Sequence, residues 1–191
     1  MKIVISEAGK QELARLEYSI QDSLHKFLKY VPGRDIIKLS HILITDIPLL
    51  KLSREKRFLG SYFKMSKQRP AFIGIYLKNL FGHLSKDAFW QLFPIKEIGL
   101  AHVLFHEIGH HVEQIRSHGV KKNKKEHFAD SYLEEAINNY IIDHADLVNS
   151  CFQNLESQPL SPELTLDNVK KMKSSWEKEH KRAITFYKKS L

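Results

Sequence analysis

Apolar positions along this chain recur at two spacings, and the alternation between them divides it into elements. Between residues 7 and 29, Leu13, Leu16, Ile20, Leu24, Phe27 and Leu28 keep helical spacing until Val31-Pro32-Gly33 ends the run. Residues 39–45 and 71–77 read as strands, the first rich in β-branched side chains. A short helix is expected over 85–93, with Ser85 as its N-cap. From 96 to 114, Ala101, Leu104, Phe105, Ile108 and Val112 form an apolar stripe opposite His102, His106 and His110, and Pro94 is a start signal. From 126 to 142, Ala129, Leu133, Ala136, Ile137, Tyr140 and Ile141 form a second stripe. The stretch 117–125 between them carries Gly119 and four lysines and reads as a solvated turn. Residues 157–162 form a turn-rich linker, after which Val169, Met172, Trp176, His180, Ala183 and Tyr187 mark a long final helix. A few strands among several helices place the chain in the α+β class. One domain over 1–191 is expected: a helix and sheet region to 93, two central helices over 94–154, then the linker and a basic helix.

Composition narrows the picture. At 191 residues and 42% hydrophobic, the chain can bury a sizeable core. A single cysteine, Cys151, excludes an internal disulfide framework and a cysteine-based zinc finger, and it reads as a buried helix thiol. The N-terminal residues lack the apolar run of a signal peptide and no stretch approaches 18 apolar residues, so a cytoplasmic protein with no membrane partner is expected. The net charge is +8 and it is clustered: residues 51–69 hold seven basic residues against one acidic, and 116–125 hold five against none. Lys170, Lys171, Lys173, Lys178, Lys181, Arg182, Lys188 and Lys189 add to it. Such a bias favours acidic partners, including nucleic acid or a nucleic-acid-bound substrate, although no base-reading motif accompanies it.

The candidate chemistry lies in His106-Glu107-Ile108-Gly109-His110. On a helix, His106 and His110 stand one turn apart, so both imidazoles can reach one ion. Glu107 lies about a quarter-turn away, where its carboxylate can bond a metal-held water without ligating the metal. This is the HExxH arrangement of zinc hydrolases. Sixteen residues beyond His110 comes Glu126-His127-Phe128-Ala129-Asp130. Catalytic zinc takes three protein ligands and keeps a fourth position for water. Glu126 and Asp130 are i, i+4, so one can bind zinc while the other accepts the free N–H of a liganding histidine and fixes its tautomer. His118 and His127 compete as third ligands. Gly109 costs up to about 1 kcal/mol inside a helix and makes sense where another segment approaches closely.

HExxH followed by Glu-x-x-Ala-Asp on the next helix resembles the gluzincin metallopeptidases, and most of all their compact intracellular members such as the ImmA/IrrE-type catalytic domains. The matching stretch spans about residues 98–137. The resemblance implies a zincin-like fold with a small mixed sheet, one zinc ion held by His106, His110 and Glu126, Glu107 as general base, and Asp130 orienting a liganding histidine. Phe128 and Leu133 depart from the ImmA/IrrE-type pattern, which usually has Glu and Ala there, but neither is a ligand position. The SprT-type proteases use a later histidine as third ligand, over a longer gap than the one to His118. The extended metzincin motif needs a histidine at 116, where this chain has Arg116.

The function so implied is peptide hydrolysis by zinc-activated water, with Glu107 taking the proton and passing it to the leaving amine. Tyr132, Tyr140, His118 and His144 are candidates to assist the oxyanion. In zincin-like folds an edge strand holds substrate extended, and residues 71–77 are the candidate, an ordinary core strand being the other reading. Narrow specificity for a peptide or protein substrate is expected. The second reading is a zinc-stabilised binding or regulatory module without catalysis, which a fourth protein ligand such as His118 or His102 would favour and the presence of Glu107 opposes.

Overall fold

The computed structural model describes residues 1–46, 58–67, 69–116 and 122–190. Strand β1 (Lys2–Ile5) is followed by α1 (Glu7–Leu16), α2 (Ile20–Leu28), a 3-10 turn (Gly33–Ile36) and β2 (Leu39–Thr45). Then come β3 (Gly60–Phe63), β4 (Ala71–Tyr76), α3 (Leu77–Phe81), α4 (Lys86–Gln91), α5 (Phe93–Arg116), α6 (Lys122–Ser157) and α7 (Leu166–Ser190). The architecture is α+β, with one mixed sheet in the order β1-β2-β4-β3. β1, β2 and β4 run parallel and β3 pairs antiparallel with β4.

The core lies between this sheet and α5. Ile42 and Ile44 of β2 and Ile73 and Ile75 of β4 are fully buried, as are Leu100, Ala101, Leu104, Phe105, Ile108 and Val112 of α5. The apolar stripe expected on α5 is therefore the one that packs. On the far side of α5, α6 buries Ala136, Ile137, Tyr140 and Ile141, with Phe27 of α2 edge-on to both Phe105 and Tyr140. A buried carboxylate, Glu97 of α5, ties three helices together by accepting from Ser23 Oγ (2.5 Å), Lys26 Nζ (2.8 Å) and Tyr140 OH (3.0 Å). A buried charge with this many donors keeps its hydrogen-bonding capacity filled.

β2 and α4 follow the sequence closely, and Ser85 caps α4 by accepting from the Ala88 N–H. Three expectations need correction. The single helix over 7–29 is two helices, broken where Glu17 takes a left-handed conformation (φ 51°). The apolar stripe survives the break because both helices face the same core, and no glycine or proline marks it. Strands β1 and β3 are additional, each only four residues long. Finally, of the two readings of 71–77, the core strand holds and the substrate-holding edge does not. β4 ends at Tyr76, lies between β2 and β3, and is buried along nearly its whole length, as its unbroken apolar run suits. The edge beside α5 belongs to β3.

The helix bearing Glu126 begins at Lys122 and runs 36 residues to Ser157, so 122–125 belong to it and not to a turn. α7 returns antiparallel along α6: Lys173 pairs with Glu156, Trp176 Nε1 donates to Asn149, and Arg182 pairs with Glu134. Val169, Trp176 and Ala183, seven residues apart, form its buried seam. Cys151 is buried and donates to the Gln91 carbonyl, and burial pushes its thiol up to about 11. Among the described residues no helix is long and apolar enough to cross a membrane.

Candidate metal centre

α5 and α6 pack backbone against backbone at one crossing. A Cβ built on Gly109 would come within 2.7 Å of Ala129 Cα and 2.9 Å of Ala129 O. The close approach anticipated at Gly109 is thus made by α6. Ala129 lies three residues after Glu126 and one before Asp130, so this contact delivers both carboxylates to the histidine face of α5.

At that face His106 Nε2, His110 Nε2 and Glu126 Oε2 converge. The two nitrogens are 3.1 Å apart, and the carboxylate oxygen lies 3.7 Å from His106 and 3.6 Å from His110. Ligand atoms around a tetrahedral zinc, each about 2.0–2.1 Å from the metal, stand about 3.3 Å from one another. The spacing and the two-nitrogen, one-oxygen donor set fit such an ion without rearrangement. His106 Nδ1 lies 3.2 Å from Asp130 Oδ1. A carboxylate at that distance favours the tautomer with the proton on Nδ1, which leaves the Nε2 lone pair for the point of convergence. Two imidazole lone pairs 3.1 Å apart repel unless a cation or proton lies between them.

Glu107 stays outside this triad. Its side chain is buried beneath β3, where Gly60 leaves room for it: a Cβ on Gly60 would fall 2.6 Å from Val103 Cγ1 and 3.2 Å from Glu107 Oε1. Burial pushes the Glu107 carboxyl up to about 8, opposed by a hydrogen bond from the Tyr62 backbone N–H and reinforced by the charge of Glu126. His110 is lowered, first by burial and then by neighbouring His106. A groove of about 500 Å³ runs over Glu107 between β3 and the start of α6, from Phe58 past His106 and His110 to Gln114. Buried Glu113 on its floor pairs with Lys125 at 3.3 Å. A second cavity, about 630 Å³, opens on the other side of Glu126 and Asp130, between α5, α6 and α7.

The remaining candidates are placed as follows. His102 stands in the second cavity and is not among the converging donors; burial lowers its pKa. His111 is buried, with Nε2 2.8 Å from the Ile37 carbonyl and Nδ1 3.2 Å from Tyr62 OH, so it braces β3 and the 3-10 turn against α5. His127 points to Ser131, one turn along its own helix. Tyr132 donates to Asp35, Tyr140 donates to Glu97, and His144 stacks on Tyr140; none lines the groove. His118 and Gly119 lie outside the described residues, as do 51–57 and 68 of the basic run over 51–69. Sequence reasoning missed β3, which brings Gly60 and Tyr62 to the site; a four-residue strand carries too little alternation to be read. Comparison with protein-family models, curated proteins and solved structures gives no match to this chain.

Proposed function

We propose that this chain is a zinc-dependent metallopeptidase with a zincin-like, gluzincin-type site, in which His106, His110 and Glu126 hold one zinc ion. The observation that carries this reading is the convergence of those three donor atoms beside a buried carboxyl group, Glu107, that is not one of them. A purely structural metal site has no use for Glu107, and among the described residues no fourth protein donor joins the group. When bound, the zinc supplies a Lewis acid that acidifies water and polarises a peptide carbonyl.

The protein's own residues do the rest. Asp130 holds His106 in the tautomer that leaves Nε2 free. Glu107 takes the proton of the attacking water and delivers it to the leaving amine, a role suited to a buried carboxyl whose proton affinity is already raised. The outer edge of β3 flanks the groove, so an extended peptide can add to it as a further strand. The basic surface draws acidic protein partners or substrates held on nucleic acid. Substitution Glu107→Gln tests the reading: zinc content should stay near wild type while peptide hydrolysis falls by at least about a thousandfold. Undiminished hydrolysis by the variant would remove Glu107 from the reaction.

A further inference from the structure

The cavity on the far side of the metal position has a chemistry of its own. Its floor includes Asn138, which is 2% exposed and whose Nδ2 has no hydrogen-bond partner among the described residues. A buried amide N–H without an acceptor costs free energy that an incoming carbonyl would recover. Leu133 and Ile137 give the same wall an apolar surface. The opposite wall is α7, contributing Glu179 and Arg182.

The charges do not cancel. Arg182 is neutralised by Glu134 at 2.7 Å. Asp130 faces His106 and Glu126 faces the converging nitrogens. Glu179 holds no ion pair among the described residues, and it faces His102 across the cavity mouth. With Glu126 and Asp130 turned to the histidines, Glu179 is the unpaired carboxylate that α7 brings to the rim, above an apolar wall and a buried amide donor.

We infer that this cavity is the specificity subsite of the proposed peptidase, selecting a lysine or arginine side chain next to the scissile bond. The methylene stem lies along Leu133 and Ile137, as long cationic side chains commonly cover apolar surface. The charged head meets Glu179, and Asn138 Nδ2 donates to a carbonyl of the bound chain. α7 thereby becomes the wall that reads the substrate. This inference rests on the peptidase reading for its substrate, and its test separates the two.

The full chain is titrated with n-butylguanidinium chloride while the side-chain amide of Asn138 is followed by NMR, with 1-butanol as the uncharged control. A saturable shift with the guanidinium, weakened about fivefold in Glu179→Gln and retained in Glu177→Gln, is expected. A shift no larger than that with butanol, or one equal in Glu179→Gln, would overturn the subsite. In parallel, zinc-loaded protein is given matched peptides carrying arginine or norleucine at one position. A preference for arginine in kcat/KM that narrows in Glu179→Gln supports the inference. Hydrolysis without that preference sinks the subsite and leaves the peptidase. Binding of the guanidinium through Glu179 with no peptide cleaved sinks the peptidase and leaves a cation-binding cavity.

Discussion

Gly109 and Ala129 meet backbone to backbone, with no space for even a methyl group between α5 and α6. Everything the candidate metal centre draws from α6 depends on that distance, because Glu126 and Asp130 flank Ala129 on the same helix. The Gly109→Ala substitution should therefore harm the site although it improves helix propensity. Propensity gains up to about 1 kcal/mol and overpacking costs about 1–3 kcal/mol, so a net loss of stability near 1 kcal/mol is expected, with zinc bound at least about tenfold more weakly. Gly99, on the exposed side of α5 with nothing within 4 Å of its added Cβ, is the control. Gly99→Ala should stabilise by about 0.5–1 kcal/mol and leave zinc affinity alone. Urea unfolding and competitive zinc titration of both variants check the pair.

Asp130 touches His106 on the side away from the converging donors. Its expected contribution is to tautomer and orientation, so Asp130→Asn should weaken zinc binding by about 10- to 100-fold with little change in unfolding midpoint of the metal-free protein. A zinc competition assay against a chelating dye reads the effect. Unchanged affinity would mean that His106 needs no partner to present its Nε2.

His111 supplies the pH dependence. Burial lowers its pKa, while its bond to the Ile37 carbonyl and the charge of Asp35 pull the other way. An unfolded histidine takes up a proton near pH 6.5, whereas folded His111 resists it. At this site the unfolded state therefore binds more protons below that pH, and the contribution of His111 to stability falls as the pH drops from about 7 towards 5. Burial lowers His41 and His102 as well, with the same sign. Glu107, whose carboxyl burial holds up at about 8, acts with the opposite sign over the same window, so His111 is read by difference: on acidification of chelator-treated protein, the urea midpoint of wild type should fall relative to that of His111→Gln. Parallel pH profiles for wild type and variant would contradict the assignment.

Much of the site was legible because helical spacing alone brings His106, Glu107 and His110 together, and the i, i+4 pair Glu126 and Asp130 shares one face for the same reason. The apolar stripes of α5 and α6 were equally readable, since each long amphipathic helix repeats its signal over several turns. What the sequence could not reveal depends on short or non-repeating contacts. β3 has four residues, and its place at the edge follows from pairing with β4, which no local pattern encodes. The break at Glu17 comes from Tyr18 packing against Phe81, Phe89 and Phe93, residues more than sixty positions away. Tyr132 and Tyr140 looked available for chemistry because tyrosine hydroxyls suit it, but their partners Asp35 and Glu97 come from distant segments. The part of α7 that faces the second cavity was hidden in a run of charges that reads as a solvated face.

The proposed peptidase requires that His106, His110 and Glu126 together hold one zinc ion. Elemental analysis of tag-free protein, wild type beside Glu126→Ala, tests it most directly. About one zinc per chain in wild type and a clear loss in the variant is the expected result. Wild type that takes up no zinc after reconstitution, or a variant that retains it in full, would contradict the account.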